Sequence, residues 1–508
     1  MPTVPSTLSA PYNELTRRLS DLTALEEAIG ILSWDQEIVM PKGAVEQRSR
    51  QIATLSVVRH ERLSAPDLAE LVDQLMHDQT LTDTQAANVR EARRDLMRTT
   101  RIPEALVRRW SETTVKAHDV WVEARKADDF SAFEPILTEL VELSKQRAAA
   151  IDPEAPPYDV LLDEFEPGTT QAQLEPLFAD LKAFLLPMIA KVRARSQAGG
   201  LPDTTWLSEV VPADRQRTVG ETVVRAMGYD FDRGRLDTSV HPFCGGAGPS
   251  DVRITTRYRE DAFFGSLSGM IHETGHALYE QGRDLDLADQ PVSRARSMGI
   301  HESQSLLWEK QVGLGRPFWT ALLPKLQLSY EFLRKVDLDS FLFGISQVDL
   351  DNFIRVDADE LTYPLHVILR YEIERDLFNG TLQVADLPKV WNAKMQEYLG
   401  ITPPDFRLGV LQDVHWSMGS FGYFPSYTLG ALYAAQFMNS CRDQVPGVDA
   451  ALSRGDVEPL LTWLRTHIHR EGSRFGTDEL VRRATGEPLN PRHFIDYARA
   501  KFTRLYGL

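Results

Sequence analysis

Cysteine is nearly missing from this sequence: Cys244 and Cys441 are the only two in 508 residues. Two thiols exclude a disulfide framework and a thiolate-built zinc site, and the scarcity suits a reducing, cytoplasmic setting. An excess of positive charge is missing as well. Lys and Arg number 56 against 73 Asp and Glu, a formal net charge of −17. No basic face is available to neutralise phosphates, so nucleic acid is not an expected partner. No apolar run reaches bilayer-spanning length, and the stretch 184–192 is interrupted by Pro187 and Lys191. The first residues, Met1-Pro2-Thr3-Val4-Pro5-Ser6, lack a positive region followed by an apolar one. Neither export nor membrane association is therefore expected. Internal repeats and low-complexity segments are absent too.

What is present reads mainly as helix. Hydrophobic residues make up 43% and charged residues 25% of the chain, the balance of a water-soluble globular protein. At 508 residues the chain exceeds one typical core, which predicts two lobes or one large helical body. Apolar residues at three- and four-residue spacing predict helices over 12–34, 47–63, 84–97, 112–126 and 133–150. Between 152 and 170, Pro153, Pro156, Pro157, Pro167 and Gly168 break that rhythm. Tyr158, Leu161, Leu162 and Phe165 are too apolar for water, so this stretch is predicted to be a connector packed on the body. Helical patterns resume over 171–196 and 212–227. The texture then turns to Gly, Thr, Ser and Pro over 236–258, and 252–258 alternates as a strand does. Helices follow to the C-terminus.

The strongest chemical signal is His272-Glu273-x-x-His276, within residues 271–282. Side chains four apart on a helix lie one turn above each other, so both imidazoles point the same way and can hold a Zn²⁺ ion. Glu273 is rotated around the helix, beside the metal's open position, where it can take a proton from bound water. With 12 His, a random chain of this composition would show the pattern roughly 0.02 times, which weighs against a merely structural His pair. The helix is expected to start near Asp261, to bury Phe264, Leu267, Ile271, Thr274 and Leu278, and to stop at Gly282. A catalytic zinc needs a third protein ligand and leaves its fourth position to water. His301 and Glu302 open the next helical pattern, and Asp357, Asp359 and Glu360 lie further on. The residues alone leave that choice open.

Other polar concentrations are His241-Pro242-Phe243, Asp251-x-Arg253 on the strand, Arg355 among Asp357, Asp359 and Glu360, Gln412-Asp413-Val414-His415-Trp416, and Gly422-Tyr423-Phe424-Pro425-Ser426-Tyr427. Taken singly, each has a structural explanation: an edge salt bridge, surface charge or aromatic packing. Cys244 is read as a small packed side chain. As a set they say more. His241-Pro242-Phe243, Asp251-x-Arg253-x-Thr255, His272-Glu273-x-x-His276, His301-Glu302-Ser303-Gln304 and Gly409-x-x-Gln412-Asp413-x-His415-Trp416 resemble, in order, the motifs of the carboxypeptidase Taq family of gluzincin metallopeptidases. The likeness extends to Ser33-Trp34-Asp35-Gln36, to Tyr158-Asp159-Val160-Leu161-Leu162-Asp163 and to the Tyr423 segment, and so covers nearly the whole chain.

The resemblance implies a mainly α fold: a large two-lobed helical body around a deep groove, with a small β-sheet next to the metal helix, as in neurolysin and angiotensin-converting enzyme. The whole chain, 1–508, would be one metallocarboxypeptidase domain, with sub-lobes 1–150 and 151–508. It implies release of single C-terminal amino acids with broad side-chain tolerance and poor action at proline. One zinc ion per chain, replaceable by cobalt, would be held by His272, His276 and Glu302, with Glu273 as catalytic base. Arg355 lies where members place an arginine for the substrate's terminal carboxylate. Tyr423 and His415 lie where related enzymes place transition-state donors, and Tyr427 competes with Tyr423 for that part. His241 would touch substrate or orient a ligand. The partners implied are peptides with a free C-terminus and a second copy of the chain. The rival readings are a helical gluzincin endopeptidase and, in a different class, a non-catalytic metal-binding protein.

Overall fold

The computed structural model describes residues 9–508; the N-terminal stretch read above for an export signal lies outside the described residues. Periodicity located the long helices well. They run over Ala10–Ile38, Val45–Leu63, Asp83–Thr100, Glu104–Ala127, Phe130–Ile151, Gln171–Gln197 and Ala213–Ala226. Their starts have local causes. The Ser9 hydroxyl accepts from Tyr12 N, and Thr82 and Gln85 form a reciprocal capping box. The predicted connector contains a helix of its own, Pro157–Phe165. Pro157 was read as a breaker, but proline's fixed φ and missing N–H suit the first helical turn. No helix among the described residues is long and apolar enough to cross a membrane.

The molecule is mainly helical, with one three-stranded sheet among the described residues. Its strands are β1, Gly234–Thr238; β2, Cys244–Gly246; and β3, Val252–Thr256. The order is β1-β3-β2, with β1 parallel and β2 antiparallel to the central strand. β3 ends at Thr256, two residues short of the alternating pattern, and its buried Ile254 packs inward.

The chain divides into two compact units, each assembled from three separate stretches. The first comprises the described part of Met1–Arg101 with Val210–Arg296 and Asp456–Leu480. It holds the sheet and a core in which Leu15, Leu19 and Leu22 meet Leu68, Val72, Leu75 and Leu96. Burial of such side chains, about 1.5–3 kcal/mol each, is the main force on this unit. The metal-motif helix, Phe263–Gln281, lies against β3 and against Ala213–Ala226. The end of the Met270 side chain occupies the space that a Cβ on Gly220 would take.

The second unit comprises Ile102–Glu209, Ser297–Gly455 and Val481–Leu508. Its helix Tyr363–Phe378 is buried on nearly every side. It has no amphipathic stripe, as expected of a helix surrounded by protein. Met298–Leu306 packs closely on Pro425–Gln444 in the same unit. Gly430 allows the approach: a Cβ there would meet Glu302 Cγ at 2.6 Å and Glu302 Cβ at 2.8 Å.

Candidate metal centre and carboxylate cluster

The motif helix presents His272 and His276 one turn apart, ring centroids 5.0 Å and planes nearly perpendicular. Glu273 between them is buried. The inward face is broader than the predicted stripe, since Phe263 and Met270 are buried while Phe264 is only partly so. Gly282 ends the helix in a right-handed conformation at φ −89°, where a left-handed stop was expected. A Cβ there would strike His469 Nδ1 at 2.4 Å, so glycine is required by close approach.

His272 and His276 stand in the first unit, and Glu302 stands in the second. Two imidazoles and one carboxylate are a donor set that suits hydrolytic zinc, whose bonds to each run about 2.0–2.2 Å. Glu302 stands on the first turns of Met298–Leu306, a helix opened by the Ser297 hydroxyl accepting from Ile300 N.

The motifs preceding the helix join within the first unit. Thr255 Oγ1 accepts from Phe243 N at 2.9 Å, tying His241-Pro242-Phe243 to the strand. Asp251 pairs with Arg253 at 2.7 Å, the edge salt bridge weighed from sequence. Arg253 and Arg235 both stack on buried Trp34, at 4.6 and 5.2 Å. The His241 side chain is exposed. Cys244 and Cys441 are free thiols.

In the second unit, Arg355, His415, Tyr423 and Tyr427 form one cluster. Arg355 is 4% exposed. Its Nε donates to Asp413 at 3.0 Å and its Nη1 to the Tyr363 hydroxyl at 3.2 Å. The guanidinium lies 4.6 Å from the Tyr427 ring centre, within cation–π range. The partners weighed for it from sequence are engaged elsewhere or exposed: Asp359 binds Thr362, Glu360 pairs with Lys501, and Asp357 faces solvent. Burial works against the charge on Arg355, but Asp413 outweighs it and holds the group protonated.

Asp413 is shared. Its other oxygen accepts from Nε of Arg370, a fully buried arginine that sequence reasoning passed over. Burial would raise the Asp413 carboxyl, yet Arg370 and Arg355 drive it far below the usual carboxylate range. Burial lowers Arg370 to about 10, with Asp413 opposing. The signal for Asp413 was present in the Gln412-Asp413-x-His415 motif; nothing near Leu369-Arg370 marked its partner.

His415 Nε2 and the Tyr427 hydroxyl lie 3.1 Å apart. Burial pushes His415 down to about 4, against the pull of Asp413, so the ring is neutral at neutral pH. Burial pushes Tyr427 up to about 12 and Tyr423 well above its ordinary value. Both phenols keep their protons. Their rings pack edge-on at 5.2 Å, and Tyr423 also packs on His415 at 5.4 Å.

The family model for carboxypeptidase Taq (M32) metallopeptidase matches residues 14–502. Carboxypeptidase 1 of Bacillus subtilis is 41% identical over 505 residues, covering 99% of each chain. Thermostable carboxypeptidase 1 of Thermus thermophilus is 40% identical, with 99% of this chain and 100% of that one covered. The crystal structure of the M32 carboxypeptidase from Deinococcus radiodurans superposes with a TM-score of 0.95 at 38% identity, covering 98% of this chain and 100% of that one. The chain belongs to the carboxypeptidase Taq family of metallopeptidases.

Proposed function

We propose that this enzyme removes single amino acids from the free C-terminus of peptides, with broad side-chain tolerance and poor action at proline. The observation that carries the reading is Arg355, a charged guanidinium buried among Asp413, Tyr363 and Tyr427. Among the described residues its side-chain hydrogen-bond partners engage Nε and Nη1. Nη2 is left to complete a two-point grip on a terminal carboxylate, which an internal peptide bond does not offer.

His272, His276 and Glu302 would hold one divalent ion, zinc by the character of the donors. When bound, such an ion supplies Lewis acidity, polarising the scissile carbonyl and making water a nucleophile near neutral pH. Glu273, on the same helix, takes the proton from the attacking water and returns it to the leaving amine. Tyr423 keeps its proton because burial raises its pKa, so its hydroxyl can donate to the developing oxyanion. His415, neutral and bonded to Tyr427, fixes the neighbouring phenol or donates beside it. His241 is exposed and would touch substrate or orient a ligand. The motif resemblance supports a homodimer, and the two free cysteines suit the cytoplasm.

The test is a mixed peptide pool followed by mass spectrometry, with and without chelator. Stepwise ladders from the C-terminus that chelator abolishes are expected. Internal fragments from C-terminally amidated peptides would overturn the reading in favour of an endopeptidase.

A further inference from the structure

The motif Tyr158-Asp159-Val160-Leu161-Leu162-Asp163 has no part in the chemistry above, yet it touches residues that do. Gly422, one residue before Tyr423, has φ +88°, and a Cβ there would come within 2.8 Å of Leu161 C and Leu162 N. The loop is thus seated on the backbone of Pro157–Phe165. Phe165 packs edge-on against Tyr423, ring centroids 4.9 Å apart.

Glu374, fully buried in the middle of Tyr363–Phe378, lies at the centre of that seat. One carboxylate oxygen accepts from Trp416 Nε1 at 2.8 Å. The other accepts from Gly422 N at 2.9 Å and from the Tyr158 hydroxyl at 2.8 Å. Trp416 follows His415, and Gly422 precedes Tyr423. A single carboxylate therefore grips both ends of the segment 416–422.

We propose that Glu374 is a positioning residue, fixing His415 and Tyr423 relative to each other by holding Trp416 and Gly422 from inside the fold. The proposal rests on the carboxypeptidase reading for what those two side chains do. Two further observations separate Glu374 from a group that serves stability alone. Its hydrogen-bond partners are all neutral donors, not cations. Burial pushes its carboxyl up to about 7, against the three hydrogen bonds that lower it and with the charge of Asp413 adding to the rise. A carboxyl raised in the fold favours folding while protonated, and that contribution is lost as pH rises through about 7. The ionised group thus costs stability at neutral pH, a pattern found where activity sets the requirement.

Glutamine cannot replace it. Its one oxygen can face Trp416 or Gly422, and its amide NH2 then meets the other N–H, which has no acceptor capacity. One end of the segment is released whichever way the amide sits.

The experiment uses the full-length, metal-loaded protein carrying Glu374→Gln. We expect kcat on peptide substrates to fall about 10- to 100-fold, the scale of a misplaced catalytic group. KM and metal content should stay near wild type. Hydrogen exchange of peptides spanning 415–423 should speed up clearly, with distant helices unchanged. Trp416→Phe, which removes one grip, should give the same pattern at smaller amplitude and decides the matter should Glu374→Gln fail to fold. Unchanged exchange in the variants overturns the proposal whatever the substrate is. Fast exchange with unchanged kcat overturns the positioning role. Failure of the wild type to release C-terminal amino acids counts against the carboxypeptidase reading, while exchange still decides whether Glu374 holds the segment.

Discussion

The imidazole pair His272 and His276 and the guanidinium pair Arg355 and Arg370 are built in opposite ways. The imidazoles need only a helix: four residues of spacing align them, and the sequence displays that spacing. The guanidiniums are joined through one carboxylate, Asp413, which lies 58 and 43 residues further along the chain. Local geometry makes the first pair robust and legible. The second exists only once the unit is folded, and it depends on a single counter-charge.

The largest effect should come from the local site. Glu273→Gln keeps shape and removes the proposed base, so turnover should fall at least about 1000-fold. Metal content, measured after dialysis, should be retained; an active variant would remove Glu273 from the mechanism. On the distributed side, Asp413→Asn strips the shared charge from two buried arginines. Breaking a buried ion pair costs about 3–5 kcal/mol, so denaturant unfolding should show a loss of that order. A smaller loss would mean that the two guanidiniums relax independently. Arg355→Ala should cost about 100-fold in kcat/KM toward free C-termini, near 2.7 kcal/mol. Blocking the C-terminus by amidation should then cost the variant far less than it costs wild type, and an amidation penalty unchanged by the substitution would reject carboxylate recognition.

The smallest effect concerns His366, buried in the same helix as Arg370, with neither ring nitrogen hydrogen-bonded among the described residues. Burial, then Arg370 and Arg355, hold its pKa well below the ordinary value. Stability from a group so depressed is present above its unfolded pKa, about 6.5, and is lost as pH falls below it. His366→Phe should therefore be within about 1 kcal/mol of wild type at pH 8 and comparatively more stable at pH 5. Parallel melting curves at the two pH values would refute this.

These contrasts also explain what could be read from the residues alone. Helices with one apolar face, such as Ala10–Ile38 and Asp83–Thr100, announce themselves by period. Tyr363–Phe378 carries buried His366, Arg370, Glu372 and Glu374, and it reads as a mixture of charge and grease because every face meets protein. The zinc motif was plain, while the choice between His301 and Glu302 was not, since neighbours on a helix differ in direction and not in sequence pattern. For Arg355 the nearby acids were the natural partners to weigh, and the fold pairs it with a distant one instead. The short helix Pro157–Phe165 was hidden by prolines that begin a helix as readily as they end one.

The missing side chain at Gly430 has a mechanical consequence. Because nothing separates it from Glu302, the helix carrying Glu302 and the helix that begins just after Tyr423 meet with no slack at this point. A rigid linkage of that kind transmits displacement. One methyl group placed at 430 would push on the stem of the Glu302 side chain and on its backbone. A single hydrogen atom at this position thus sets how closely the two helices approach.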